Sequence, residues 1–257
     1  DKLITFSQSI LPLWVPVFLT ISLILPANFS TSAILFSMVM LLCFLGGYPL
    51  KYLMGILFSA VILFSIFILS VKAYPGLFPN RVDTWKSRVE NFVDSKETKS
   101  NYQIEKAKIA IATGGITGLG PGKSVQKNFL PQSSSDFIYA IIVEEYGLIG
   151  GLALLLLYLW FLFRVIIISN KSKSVFGSLL AIALGIPIVF QALVNMAVAV
   201  QLFPVTGQPL PLISSGGTSI WMTCLAIGII QSVRIGSEIN EDETDENNPL
   251  EILKETI

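Results

Sequence analysis

Long apolar runs separated by short polar connections make up most of the 257-residue chain. A helix needs about 20 apolar residues to cross the hydrocarbon core of a bilayer. Six runs come close to that length or exceed it. We therefore predict an all-α, polytopic membrane bundle. The predicted spans are Ser9–Ala27, Thr31–Gly47, Tyr52–Ala73, Phe137–Ile168, Val175–Val200, with Pro187 as a kink, and Leu212–Ile235.

Polar segments divide the chain into four parts. These are three spans within residues 1–73, a long loop at 74–136, three spans within 137–235 and a tail at 236–257. In the long loop, Asn101–Thr113 has the pattern of a short amphipathic helix, with Ile104, Ala107 and Ile111 on one face. Thr84–Val93 predicts another. We expect both helices to lie near the membrane interface.

Charge in the short connections predicts the orientation. Ser169–Ser174 carries Lys171 and Lys173, whereas Ala27–Ser30 and Gln201–Pro211 carry no charge. Positively charged short loops remain in the cytoplasm. The C-terminus is therefore predicted to be cytoplasmic, and the long loop is predicted to face outward.

Basic residues are concentrated in and beside the long loop. Residues 236–257 hold eight acids and one base, which leaves 16 bases and 9 acids in the rest of the chain. With Lys72 at the end of the third span, residues 72–136 contain ten of the 17 bases. Basic residues on the outer side indicate an anionic headgroup as ligand, or else ion pairs within the loop and contacts with lipid phosphates. The acidic tail is interpreted as a disordered end or as a docking segment.

The composition excludes several kinds of chemistry. The chain has no histidine, so Ser-His-Asp and Cys-His catalysis, HExxH zinc sites and haem ligation by His are excluded. Its two cysteines, Cys43 and Cys224, lie in apolar runs and predict neither a disulfide framework nor a metal site. Proton transfer must therefore use a carboxylate, a lysine or a tyrosine.

Asp136 is the only acid in Gly114–Asp136 and stands directly before an apolar run. A single carboxylate near lysines at a membrane surface is a candidate general base acting on an anionic, lipid-linked substrate. The alternative is a helix N-cap, in which the carboxylate accepts hydrogen bonds from backbone N–H groups.

The glycine-rich sequence 118–124 resembles a phosphate-binding loop. Thr117 occupies the position where the nucleotide-binding P-loop requires glycine, and no strand pattern precedes it, so an ATPase is excluded. A looser interpretation remains, in which backbone N–H groups and Lys123 or Lys127 approach a pyrophosphate. A flexible turn without a ligand is the alternative.

Polar side chains also occur inside the predicted spans. Glu144 and Glu145 point about 100° apart on a helix, so one of them can face the interior and pair with Lys or Arg. Their role is either structural or in proton handling. Gln191 and Asn195 share a helix face and, with residues 214–217, predict either helix association or a substrate contact.

Three ordered groups of residues between Pro26 and Arg234 resemble signatures of the SEDS family (shape, elongation, division and sporulation), in its FtsW/RodA type. They are Pro26–Thr31; Tyr102-Gln103, Gly114-Gly115, Gly118, Gly120, Ser124, Gln126-Lys127, Leu130-Pro131, Asp136-Phe137-Ile138, Glu144-Glu145 and Gly147; and Pro204–Gly207, Pro209–Ser214 and Gly216-Gly217.

The resemblance implies about ten transmembrane helices, of which this chain carries the last six. It implies a peptidoglycan glycosyltransferase of the bacterial inner membrane, with a division-type (septal) role, that polymerises lipid II with Asp136 as the catalytic residue. The implied partners are a class B penicillin-binding protein (a transpeptidase) and other divisome proteins, with no nucleic acid. The implied cofactor is Mg or Mn, with Asp136 a candidate ligand and no organic cofactor. The candidate residues for binding the pyrophosphate are Arg81, Arg88, Lys123, Lys127, Gln126 and Ser124.

The chain departs from the family pattern at several positions. Asn28 replaces a common Asp, Gln132 a common acid and Ser135 a common Thr. Two other functions are compatible with a polytopic bundle: a lipid II flippase or other transporter, and a non-catalytic divisome scaffold. A transporter is expected to place its functional charges near the bilayer midplane.

Overall fold

Helices form all the regular secondary structure in the part of the chain that the computed structural model describes, residues 6–25, 27–73, 99–130 and 133–246. The all-α prediction is confirmed. The helices are α1 (Phe6–Ile24, π-helical at Ile10–Trp14), α2 (Phe29–Leu45), α3 (Leu50–Ala73), α4 (Lys99–Gly114), α5 (Ile138–Lys171), α6 (Val175–Ala199) and α7 (Gly217–Glu246); a 3-10 turn at Gln126–Asn128 precedes α5.

Each predicted span overlaps an apolar helix. Within the described ranges, four stretches are long and apolar enough to cross a membrane: Phe6–Ile24, Ile138–Lys171, Val175–Ala199 and Gly217–Gly236. Phe29–Leu45 and Leu50–Ile66 are shorter apolar helical stretches. The start of the last predicted span is wrong, because its helix begins at Gly217 and residues 211–216 form turns. The amphipathic prediction at Thr84–Val93 lies outside the described residues.

Helix α5 is broken at Gly147, where φ is 71° and ψ is −171°. A methyl group on Gly151 would lie 2.9 Å from the hydroxyl oxygen of Tyr139. In a straight helix residues twelve apart are separated by about 18 Å. Residues 138–146 therefore fold back against residues 148–171, and the prediction of one continuous fourth span is wrong at this point.

The loop that leaves α4 satisfies the backbone groups freed by this break. A continuous helix would pair the N–H groups of residues 148 and 149 with the carbonyls of residues 144 and 145. At the break neither of these helical bonds is present. The two N–H groups and the two carbonyls instead form hydrogen bonds with the backbone of residues 115–120. The four bonds, donor first, are Leu148 to Gly115, 2.9 Å; Ile149 to Ile116, 3.3 Å; Leu119 to Glu144, 3.0 Å; and Gly120 to Glu145, 2.9 Å.

Glycine is required on both sides of this pairing. A Cβ on Gly118 would lie 2.2 Å from the carbonyl oxygen of Glu145, and one on Gly147 would lie 2.2 Å from that of Ile116. Both residues also have positive φ, which L side chains disfavour. The two backbones can approach closely only because neither residue has a side chain.

Helix α4 packs its apolar face against α5 and α6. Ile104 and Ala107 are buried and Ile111 is partly buried, as the amphipathic pattern predicted. Ala107 belongs to a cluster that includes Phe137 and Ala199. This cluster fixes the turn before α5 against the end of α6.

The connections divide between two ends of the bundle. The turns before α2 and α5 and the connection 200–216 lie at one end, because hydrogen bonds join all three. We call it the Asp136 end. The turns at 46–49 and 172–174 lie at the other, where a methyl group on Gly46 would touch Leu179 near the start of α6. The connection that carries Lys171 and Lys173 is thus at the opposite end from Asp136, as predicted.

Candidate functional site

Asp136 lies in the turn 133–137 and is 9% exposed. The hydroxyl of Ser135 donates to its Oδ1 at 2.9 Å. The N-cap of α5 is Phe137, and no side chain caps this helix. The capping alternative is therefore wrong. Among the residues that the structure describes, the carboxylate of Asp136 has no ion-pair partner.

Asn195 holds the backbone of Asp136. Its Nδ2 donates to the carbonyl of Asp136 and to the carbonyl of Gln208, each at 2.8 Å. Asn195 is 1% exposed, and its Oδ1 is buried without a partner in the described structure. One side chain of α6 thus joins the turn that carries Asp136 to the connection 200–216.

Two serines strengthen this junction. The hydroxyl of Ser214 donates to the carbonyl of Ser135 at 2.6 Å and accepts from the N–H of Leu210 at 2.7 Å. The N–H of Ser215 donates to the carbonyl of Ser134 at 2.8 Å. The second and third sequence motifs therefore meet through backbone carbonyls, which leaves the Asp136 carboxylate outside the junction.

Gln191 donates to the carbonyl of Pro209 at 2.9 Å, one turn of α6 away from Asn195. Both side chains therefore stabilise a loop against a helix. The prediction of a packing role is supported, with the difference that they bind the connection rather than another helix. Gln208 was not singled out from the sequence, because no spacing pattern marks it.

The Pro26–Thr31 motif reaches the same place. Oδ1 of Asn28 accepts from the N–H of Thr31 at 3.3 Å and so caps α2. Nε2 of Gln208 donates to the Thr31 hydroxyl at 2.8 Å. All three motifs that resemble family signatures are thus joined at the Asp136 end.

Glu144 is fully buried, with 0% of its surface exposed. Its carboxylate accepts from the hydroxyl of Ser124, from the N–H of Val125 at 3.1 Å and from the N–H of Gln126 at 3.3 Å. The structure shows no ion pair between Glu144 and a lysine or arginine of the described residues. Instead, an internal carboxylate occupies a group of N–H donors of the kind that binds anions.

Two of the three glycines in the predicted phosphate loop have backbone N–H groups that are already hydrogen-bonded within the protein. The N–H groups of Gly118 and Gly120 are bonded to the carbonyls of Gly114 and Glu145. These donors are not free for a pyrophosphate.

The other candidate ligands are placed differently. Lys123 and Lys127 have exposed side chains. Ser124 donates to Glu144 and accepts from the N–H of Lys127 at 3.1 Å, and Oε1 of Gln126 is buried without a partner in the described structure. The side chain of Glu145 is partly exposed. Arg81 and Arg88 lie outside the described residues.

The described part of the chain contains no cluster of carboxylates that could by itself coordinate a metal ion. No group of three or more His, Cys, Asp or Glu side chains comes together there. A cation at Asp136 would depend on a single protein carboxylate, with its other ligands supplied by substrate and water. Mg²⁺ is often bound in this way in enzymes that act on phosphates.

Comparison with known proteins gives a consistent result. The FtsW/RodA/SpoVE family model, described as "Cell cycle protein", matches residues 3–238. A protein of Nitrosococcus halophilus is 35% identical over 215 residues, covering 82% of this chain and 53% of its own length. One of Hydrogenovibrio crunogenus is 36% identical over 230 residues, covering 87% and 56%. Both bear the name "Probable peptidoglycan glycosyltransferase FtsW".

The chain spans about half the length of the curated relatives it matches. One solved structure superposes with a TM-score of 0.67 at 23% identity, covering 92% of this chain and 65% of the other. It is described as "Structural coordination of polymerization and crosslinking by a peptidoglycan synthase complex". This likeness supports the fold. With the match over residues 3–238, it follows that the chain belongs to the FtsW/RodA/SpoVE family.

Proposed function

We propose that the full-length protein is a peptidoglycan glycosyltransferase that polymerises lipid II into glycan strands for the septal wall. The names of the family relatives support this activity. The structural observation on which this proposal rests is the environment of the Asp136 carboxylate. Its carboxylate is almost buried at the point where three motifs meet, it caps no helix, and its one side-chain hydrogen bond to a described residue is from Ser135.

In the proposed reaction Asp136 accepts the proton of the acceptor sugar's 4-hydroxyl. That oxygen attacks the anomeric carbon of the donor, the bond to the lipid pyrophosphate breaks, and the configuration is inverted. General-base assistance of this kind contributes about 10²–10⁴ in rate. The hydroxyl of Ser135 orients the carboxylate, and Asn195 holds its backbone.

The leaving pyrophosphate carries negative charge that must be stabilised. Lys123 and Lys127 are exposed and stand on either side of the segment held by Glu144, so we propose that these two side chains bind the pyrophosphate. Arg81 and Arg88 are retained as further candidates. Since the N–H groups of Gly118 and Gly120 are engaged, this stabilisation is proposed to come mainly from side chains.

A divalent cation, Mg²⁺ or Mn²⁺, is proposed as cofactor. Asp136 would hold it together with pyrophosphate oxygens. When bound, the cation would neutralise charge on the leaving group.

The proposed location is the cytoplasmic membrane, with Asp136 on the outer side and the C-terminus inside. Charged turns at the opposite end of the bundle support this orientation. A class B penicillin-binding protein is the proposed partner. The superposed structure supports it, because it is described as a complex that coordinates polymerization with crosslinking.

A lipid II flippase is the second candidate, and a scaffold without activity is the third. A transporter needs its charges near the midplane. Glu144, Lys123 and Lys127 instead lie beside the break at Gly147, whereas Asp136 lies deeper, where residues 138–146 fold back against α5. The placement of the two lysines favours the glycosyltransferase.

The test is polymerisation of fluorescent lipid II in detergent by the full-length protein with its transpeptidase. We expect Asp136→Asn to lower the rate at least about 100-fold, because the base is removed while the shape is kept. Glu145→Gln is the matched control and should retain polymerisation. A flippase has no transbilayer step to perform in detergent. Normal polymerisation by Asp136→Asn would refute the assignment.

A further inference from the structure

Three consecutive carbonyls of the turn that carries Asp136 accept hydrogen bonds from other parts of the chain. The pairs, acceptor residue first, are Ser134 with the N–H of Ser215, 2.8 Å; Ser135 with the hydroxyl of Ser214, 2.6 Å; and Asp136 with Nδ2 of Asn195, 2.8 Å. The backbone of this turn is therefore fixed at three successive residues by α6 and by the connection 200–216.

Ser214 supplies the middle bond of the three from a buried side chain. It is 3% exposed, and its hydroxyl accepts from the N–H of Leu210 at 2.7 Å while it donates to the carbonyl of Ser135. A serine hydroxyl has one proton to donate. The bond from Leu210 therefore leaves that proton for Ser135.

The turn that presents Ser214 contains a strained residue. Leu212 has a φ of 67°, a region that bulky L side chains disfavour, and it is 47% exposed, so burial of its side chain does not explain the strain. On either side, the carbonyl of Leu210 accepts from the N–H of Ser214 at 2.9 Å, and that of Pro211 accepts from the hydroxyl of Tyr158. Strained backbone persists where its surroundings over-determine it, as they do in sites that hold a reacting group.

Ser135 connects this turn to the carboxylate of Asp136. Its carbonyl is bound by Ser214, and its own hydroxyl donates to Oδ1 of Asp136 at 2.9 Å. Because a side chain can reach only where its backbone directs it, fixing the carbonyl of Ser135 also fixes the position of its hydroxyl. Ser214 makes no hydrogen bond to the carboxylate within the described structure, so any effect on it must pass through Ser135.

We propose that Ser214 is a positioning residue for Asp136. Its hydroxyl fixes the backbone of Ser135, and the hydroxyl of Ser135 then holds the carboxylate toward the sugar hydroxyl that it deprotonates. The inference rests on the proposed function of Asp136. A displacement of about 1 Å can lower a rate by about 100-fold, so a group that touches no substrate can still control kcat.

The experiment measures lipid II polymerisation by the full-length protein with its transpeptidase. We expect Ser214→Ala to lower kcat at least about 10-fold with KM within about two-fold of the wild type, because Ser214 contacts none of the groups proposed to bind the lipid. Ser169→Ala is the matched control. Ser169 is 2% exposed and loses its hydrogen bond to Ser178 at the opposite end of the bundle, so kcat should be kept. Equal losses in the two variants, or a normal kcat in Ser214→Ala, would overturn the proposal.

A double-mutant cycle with Ser135→Ala tests the route from Ser214 to Asp136. If Ser214 acts through the Ser135 hydroxyl, the double variant should be at most about three-fold slower than the slower single variant. Losses in kcat that multiply would contradict this route. Hydrogen exchange supplies a readout without turnover. Ser214→Ala should accelerate exchange in residues 133–137 as well as in 208–216, and acceleration confined to 208–216 would also contradict the proposal.

Ser214→Cys covers the case in which the alanine variant does not fold. It keeps nearly the same size with a weaker donor, so its kcat should lie between those of the wild type and Ser214→Ala. A wild-type kcat in this variant would then overturn the proposal. Asp136→Asn gives a separate result. Normal polymerisation there refutes the proposed function, whereas loss there with a normal kcat in folded Ser214→Ala refutes only the positioning role.

Discussion

Nδ2 of Asn195 donates to the backbone carbonyl of Asp136 at 2.8 Å, although the residues are 59 positions apart. The same amide donates to Gln208, so one buried side chain sets the distance between two segments of the site. The position of the Asp136 carboxylate therefore depends on α6 as well as on its own turn.

Asn195→Leu keeps the size of the side chain and removes both donated bonds. Each buried carbonyl left unpaired costs about 1–3 kcal/mol. We expect a lower melting temperature and a strong fall in kcat for lipid II polymerisation, with little change in KM, because the base is displaced while the lipid site remains. Gln191→Leu, which removes a bond to Pro209 only, is the control and should spare kcat. Equal effects of the two variants would argue against a positioning role.

Glu144→Gln should destabilise the segment 124–128. An amide in place of the carboxylate turns an N–H group toward the donors of Ser124, Val125 and Gln126. Hydrogen bonds to a charged group contribute about 1.5–3 kcal/mol, so we expect faster hydrogen exchange in residues 122–130 and reduced polymerisation.

Glu145→Gln is the matched control for this change. The side chain of Glu145 makes no hydrogen bond to any residue that the structure describes, and its backbone carbonyl survives the substitution. Exchange rates that rise equally in both variants would contradict the proposed role of Glu144.

Gly147→Ala and Gly122→Ala distinguish two reasons for a glycine: a positive φ angle and the lack of space for a side chain. Both positions have positive φ, 71° and 74°. A Cβ at Gly122 meets nothing within 4 Å, whereas one at Gly147 would lie 2.2 Å from the carbonyl oxygen of Ile116. Gly122→Ala should cost about 1–2 kcal/mol from backbone strain alone. Gly147→Ala should cost about 1–3 kcal/mol more through overpacking.

Denaturant or thermal unfolding of the full-length protein measures the difference between these two glycine variants. Similar melting temperatures would show that the close approach of the loop to α5 does not depend on the missing side chain.

Thr31 and Gln208 should be energetically coupled. Their hydrogen bond of 2.8 Å joins the start of α2 to the connection before α7. A double-mutant cycle with Thr31→Val and Gln208→Leu should give a coupling free energy of about 0.5–1.5 kcal/mol. Thermal unfolding of the four proteins provides the measurement, and additive single effects would exclude the contact.

Local patterns in the sequence were sufficient for most of the helices. The apolar runs predicted the spans, and the spacing of Ile104, Ala107 and Ile111 predicted the buried face of α4. Each of these features depends on residues within a few turns of each other, where periodicity acts directly.

Only the tertiary structure determined the features that depend on contacts between residues far apart in the sequence. Nothing local in residues 138–171 shows that the helix breaks at Gly147, because the break is stable only when the loop at 115–120 supplies partners for its backbone. The same holds for Glu144, whose neighbours on the helix cannot reveal that its partners are Ser124, Val125 and Gln126. A freed peptide group or a buried carboxylate is tolerated only when it is paired, and the chain reaches those partners only by folding.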